Sequence, residues 1–342
     1  MSLYSELKEL CLCPSVSGRE SKVRELIKGK IEPYVDSVSV DTLGNLIALK
    51  KGSGAGKKIM LCAHMDEIGF LVNFIEDNGL LRVATLGGVH LSDFSYGKVV
   101  SENGTVGVFV PEAKVKPEDY KADKMYIDIG ASSKREAEKR VRIGDFFAAE
   151  PSLSKLCAKR VAGRPLDDRV GCLVLLELAK RLYGEIVDAD VYFVFSVQEE
   201  VGCRGSMPAT YAIAPDEAIC FDVTLTGDVP SSSPMACVLG GGAAIKIKDN
   251  SVICHEGLVN ALCEVAKESG IKVQKEILTG GGTDTSSMQL VGAGSVAGAI
   301  SIPTRYVHSG VETCDLNDVE ACIALAEKYI LTRGKNGIFT EN

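Results

Sequence analysis

Only four histidines occur in 342 residues, and the sequence has neither a long basic run nor an apolar window of membrane-spanning length. Without a basic run, and with a net charge of −8, the chain lacks the electrostatic footprint of a nucleic-acid binder. Small molecules or peptides are the expected partners. The missing apolar window argues against helical membrane spans. The stretch from Met1 to Cys13 is polar and amphipathic, with Glu6, Lys8 and Glu9, unlike a secretory signal, so a cytoplasmic location is expected. Regular cysteine spacing is absent too: of twelve cysteines, Cys62, Cys172, Cys220, Cys237 and Cys263 sit among apolar neighbours, which predicts reduced thiols rather than a disulfide framework. Cys11 and Cys13 stand too close for the two-residue gap of a thiolate metal site and are read as packing at a helix end. Asn103-Gly104-Thr105 is read as a hairpin turn.

What is present is a chain longer than one typical domain, with 46% hydrophobic residues, enough for a large core and for two domains or one with an insert. The opening third alternates helix and strand: Glu20 to Ile31 has helical spacing, Leu46 to Leu49 is a short apolar run, and Lys58 to Ala63 is a buried-strand pattern ending at His64. From Ile68 the texture changes to short alternating runs broken by glycine (69–72, 81–84, 97–100 and 105–108), interrupted by a helical pattern from Ser133 to Arg140. Such closely spaced strands predict a small barrel or sandwich. After Arg169 the α/β rhythm returns, with a helix over 171–182, strands over 189–197 and 218–223, a helix over 256–268, a strand over 296–302 and a last helix over 318–330. The expectation is a doubly wound α/β domain formed by residues 1–67 and 158–342, split by a β-rich, barrel-like insert at 68–157.

Acidic residues and histidines mark five short segments: His64-Met65-Asp66, Asp167-Asp168-Arg169, Glu199-Glu200, Asp222 and His308. Two imidazoles with several carboxylates make the ligand set of a pair of divalent cations, which one shared carboxylate can hold about 3.5–4 Å apart. Taken singly, each segment has a plainer reading. His64 fits an ordinary strand-end histidine, Asp167-Asp168-Arg169 a charged helix start, Glu199-Glu200 a solvated loop, Asp222 a turn and His308 a structural ring. Position argues otherwise, because His64, Glu199-Glu200 and Asp222 all follow apolar strands, and ligands of open α/β sheets gather beyond strand carboxyl ends. Asp66, two residues after His64 on the same side of an extended backbone, can accept the second imidazole N–H. Two adjacent carboxylates after a buried strand need a cation or a proton to absorb their repulsion. Glu200 is therefore read as a metal ligand, and Glu199 as the unligated base that takes a proton from activated water. His90 and His255 have no comparable carboxylate nearby in sequence and are read as structural.

The segments 64–69, 166–171, 198–202, 221–224, 281–284 and 302–309 together resemble the cobalt- or zinc-dependent M42 aminopeptidases, of glutamyl and tetrahedral aminopeptidase type, also known as endoglucanase M. Thr285, where the family more often has alanine, and Gly310, where proline is frequent, are small departures beside the site. The resemblance implies a mixed-sheet metallopeptidase domain that removes N-terminal residues from peptides. It also implies two divalent ions per subunit, with His64 and Asp222 on one, Glu200 and His308 on the other, Asp167 between them, Asp66 orienting His64 and Glu199 as base. Imidazole and carboxylate ligands suit zinc, cobalt and manganese alike. Gly282, Thr283 and Asp284 are expected either to line the pocket for the substrate's first residue or to form a plain turn before a helix. The insert is expected to serve oligomerisation, with dimers assembling into a dodecamer. A metal-dependent amidase or carboxypeptidase acting on N-acyl amino acids is the alternative. A glycosidase would need no metal, and a non-enzymatic assembly protein would need a broken ligand set.

Overall fold

Four consecutive sheet neighbours carry almost unbroken apolar sequence because both of their faces are covered. In the computed structural model, which describes residues 2–54 and 57–333, the strand Lys58–His64 lies between Asp190–Ser196 and Glu217–Thr224, parallel to both, and Glu217–Thr224 is parallel in turn to Val296–Arg305. Side chains alternate across these strands. Ile59, Leu61 and Ala63 join the core beneath the helices Arg169–Leu182, Glu256–Ser269 and Leu316–Arg333. Met60 and Cys62 turn the other way, onto Ala209 and Ile213 of the helix Ser206–Ile213 and Met288 of the helix Thr285–Leu290. Helices on both faces make the unit doubly wound, as expected.

The parallel strands form the centre of an eleven-stranded mixed sheet among the described residues. Leu46–Lys50 and Ser37–Val40 extend it antiparallel on one side; Glu312–Asp315, Arg160–Arg164 and Ser152–Lys155 do so on the other. Ala243–Lys248 and Val273–Ile277 branch from Val296–Arg305. Neither branch strand nor the short helix Ser206–Ile213 was expected from the sequence, whereas Thr285–Leu290 is a helix directly after the turn at 282–284, as one of the two readings of that turn has it. Ala243–Lys248 ends on lysines yet is buried at Lys246, whose ammonium pairs with Glu276 and Asp249, so its polar composition hides a core position.

Between Lys58–His64 and Ser152–Lys155 the chain closes a six-stranded barrel from Gly69–Ile75, Leu81–Leu86, Met125–Asp128, Val106–Pro111, Gly97–Ser101 and Phe146–Ala149. Closure leaves no free strand edge. Its interior is aromatic and aliphatic, with Phe70 stacked on Phe109 at 4.2 Å between ring centroids. Asn103 and Gly104 make the turn of the hairpin 97–111, Gly104 at φ +85° and the Asn103 amide oxygen accepting the Thr105 N–H at 3.0 Å. The barrel strands end at Ala149. Ser152–Lys155, inside the range assigned to the insert, pairs with Arg160–Arg164 in the large sheet. Residues 334–342 of the range 158–342 lie outside the described residues. All twelve cysteines are free thiols, and Cys11, at a helix end, donates its S–H to the Pro165 carbonyl at 3.0 Å. No helix among the described residues is long and apolar enough to cross a membrane.

Candidate metal centre

Because the central strands run parallel, their carboxyl ends bring His64, the loop after Ser196 and Asp222 to one edge, and the turn after Arg305 adds His308. His308 and Tyr306 in that turn, and Gln198 and Cys203 around the glutamate loop, hold positive φ between 52° and 64°. For side-chain-bearing residues such angles persist where surrounding contacts over-determine them, and they cluster at functional sites.

Asp167, just ahead of the helix Arg169–Leu182, stands between the two imidazoles. Its Oδ1 lies 3.1 Å from His64 Nε2 and its Oδ2 3.3 Å from His308 Nε2. Asp222 Oδ1 is 3.8 Å from the same His64 nitrogen, and Glu200 Oε2 is 3.1 Å from His308 Nε2. The opposite ring nitrogens face carbonyl oxygens, His64 Nδ1 that of Asp66 and His308 Nδ1 that of Gly88, each at 3.1 Å. Those contacts turn both Nε2 atoms inward. His64, Asp167 and Glu200 form one group of potential ligands, and His64, Asp168 and Asp222 a second.

Around these groups runs a frame of carboxylates bonded to backbone. Asp66 accepts the N–H of Glu199 at 3.0 Å and of Glu200 at 3.2 Å, together with the Ser17 hydroxyl at 2.6 Å. It thus holds the glutamate loop, and its Oδ1 is 3.5 Å from His64 Nδ1. Asp168 caps the following helix at the Gly171 N–H and accepts the His64 N–H at 3.2 Å. Glu312 accepts from the backbone of Leu166, Asp167 and His308 and from the Arg164 guanidinium. Glu312 and Arg164 carry no motif that marks them in the sequence. The one local signal is a carboxylate four residues after His308. Cys203, also unforeseen, donates its S–H to Glu199 Oε1 at 3.3 Å. Gly205 closes the loop: a Cβ there would meet Asn45 Oδ1 and the Val197 carbonyl, both at 2.4 Å. Gly205→Ala is therefore expected to cost about 1–3 kcal/mol, as overpacking does, read as a lower melting temperature in a calorimetric scan.

The charges are out of balance. Burial, reinforced by the charge of Asp167, pushes Asp222 and Glu200 above the usual carboxylate range. Burial does the same to Glu199, with Asp222, Asp284 and Glu200 adding to it against the pull of His64. Asp167 goes the other way: burial opposes its charge, but bonds from His308 and His64 outweigh burial and hold it low. Against burial, Asp167 and Glu200 raise His308 to about 11. The other oxygen of Glu200, Oε1, is buried with no hydrogen-bond partner, an unmet bond. Divalent cations would remove both the excess negative charge and this unmet bond, so the residues fit metal ions.

The cluster floors a cavity of about 860 Å³ that also reaches Gly282 and Thr283. Asp284, expected to line the same pocket, instead lies buried behind it, accepting the Ser196 and Ser206 hydroxyls at 2.6 Å each. His90 lines the cavity wall.

Comparison with known proteins adds independent findings. The model of a family described as M42 glutamyl aminopeptidase matches residues 44–325. A protein of Acetivibrio thermocellus that carries an aminopeptidase name is 47% identical over 329 residues, covering 96% of this chain and 98% of its own. Among solved structures, an aminopeptidase from the archaeon Desulfurococcus kamchatkensis superposes with a TM-score of 0.92 at 38% identity, covering 96% of this chain and 94% of that one. The TET1 peptidase of Pyrococcus horikoshii, described as able to assemble into a tetrahedron or a large octahedral shell, superposes with a TM-score of 0.86 at 36% identity, covering 97% of this chain and 100% of that one.

Proposed function

This chain belongs to the M42 peptidase family, and from that membership we propose that it is a dinuclear metallo-aminopeptidase, which removes N-terminal residues from peptides. The observation that carries the dinuclear reading is Asp167, with one carboxylate oxygen facing His64 and the other facing His308. His64 and Asp222 would hold one cation, His308 and Glu200 the other, and Asp167 would be shared. When bound, the cations supply Lewis acidity, activating water and polarising the scissile carbonyl. Zinc, cobalt or manganese suits such ligands.

The chain's own groups do the rest. Among the described residues Glu199 makes no hydrogen bond to either imidazole, which leaves its carboxylate beside the ligands as a group that can gain and then lose a proton. It accepts the proton of the attacking water as the new C–O bond forms, then delivers it to the amide nitrogen as the C–N bond breaks. Asp66 is a positioning residue: through the N–H groups of Glu199 and Glu200 it sets where base and ligand stand. Gly282 and Thr283 border the substrate's first residue, while Asp284 supports that border from behind.

The barrel, within residues 68–157, serves self-assembly in this reading, supported by the likeness to a peptidase that forms closed shells. The assembly works in the cytoplasm on peptides small enough to enter it. Chelation tests the metal requirement. Dialysis against EDTA should abolish release of nitroaniline from aminoacyl nitroanilides, and adding zinc, cobalt or manganese should restore it, with elemental analysis finding two ions per chain. Activity that survives chelation, or full activity at one ion per chain, would overturn the dinuclear reading. Hydrolysis of N-acetyl amino acids in place of the anilides would favour the amidase alternative.

A further inference from the structure

Beyond the metal centre, the cavity wall carries Leu225, Val229, Met235, Ile277, Leu278 and Val307 among uncharged serines and threonines. Leu225 is 45% and Ile277 53% exposed, so apolar surface is presented to an open space rather than packed away. Charged side chains are scarce there. Among the described residues, His90 and Arg305 are the only potential cations lining the wall outside the metal cluster, and no carboxylate outside that cluster lines it. Arg305 is already engaged. Its Nε donates to Asp228 Oδ1 at 3.1 Å and its Nη2 to Oδ2 at 2.6 Å, a two-pronged pair that also fixes the planar guanidinium in place. The hydrogen bond from Arg305 holds the Asp228 carboxyl down at about 2, so the pair stays charged through the neutral range. Asp228 further accepts the Leu239 N–H at 3.2 Å, which ties the pair to the backbone.

We propose that this cavity selects peptides whose first residue has a neutral, apolar side chain, and that Asp228, by occupying Arg305, keeps acidic residues out. The proposal rests on the aminopeptidase reading and goes beyond it, since the matched family is named for glutamate. An acidic side chain entering here would lose its hydration beside a guanidinium whose charge Asp228 already offsets, and a basic side chain would find no carboxylate outside the metal cluster. Leucine or methionine would instead cover apolar wall at no such cost.

The test is a panel of leucyl, methionyl, glutamyl and lysyl nitroanilides with the metal-loaded enzyme. Leucyl and methionyl substrates should exceed the other two in kcat/KM by at least tenfold. A glutamyl or lysyl value equal to or above the leucyl one would overturn the selectivity while leaving an aminopeptidase standing. Failure to cleave any of the four would overturn the aminopeptidase reading and this inference with it. Asp228→Asn, which keeps the shape of the side chain and releases Arg305, should raise the ratio of glutamyl to leucyl kcat/KM at least fivefold. An unchanged ratio in a variant with the parent's melting temperature would remove Asp228 from the proposal.

Discussion

Glu199→Gln should lower kcat by roughly 100- to 10,000-fold, the range a positioned proton-transfer group supplies, while elemental analysis still finds the parent's metal content. The amide keeps the shape of the carboxylate and an oxygen that can accept the Cys203 S–H, so the loop held by Asp66 has no reason to move. What disappears is a group able to take a proton from water. Separating turnover from metal content is what makes the variant informative. If metal is lost along with activity, Glu199 is a ligand and the division of labour between the two adjacent glutamates is wrong. A modest fall in kcat with metal retained would point to another base.

Asp167→Asn is expected to act on metal rather than on proton transfer, and on both ions together. Among the described residues its carboxylate is the only one with an oxygen within 3.5 Å of each imidazole Nε2. Replacing one anionic oxygen by an amide nitrogen removes a ligand atom and leaves His64 and His308 without a common partner. Loss of a partner that only orients a ligand typically lowers metal affinity about 10–100-fold, so loss of the shared ligand should exceed that and leave turnover near background. Titration of metal-free protein with zinc, followed by calorimetry, provides the check. Weakening confined to one site would mean that Asp167 serves one ion only, whereas Asp222→Asn should weaken a single site.

Much of the scaffold was readable from local pattern. The run Val191 to Val197 and the strand around Ile219 and Phe221 stand out because a central parallel strand buries both faces and tolerates almost no polar residue. Alternation and glycine punctuation disclosed the barrel strands for the complementary reason, one face being packed and the other open. The helix Ser206–Ile213 and the strand Ala243–Lys248 escaped notice, one too brief for a periodicity and the other disguised by a buried lysine whose partners come from elsewhere. At the site, sequence order placed His64 and Asp222 at strand ends but left Asp284 looking like a pocket residue. It faces Ser196 and Ser206, 88 and 78 positions away.

Residue chemistry and periodicity thus determined the α/β class, the β-rich texture that closes into a barrel and which histidines and carboxylates are candidates for metal, because those follow from which side chains exist and how they repeat. Folding in three dimensions supplied the rest: that Asp167 stands between two imidazoles, that Glu312 clamps the turns carrying Asp167 and His308, and that Asp228 engages Arg305. Each is a contact of a few ångströms, some between segments more than a hundred residues apart. Such separations are set by how the sheet, its helices and its loops close on one another, and no local repeat encodes them.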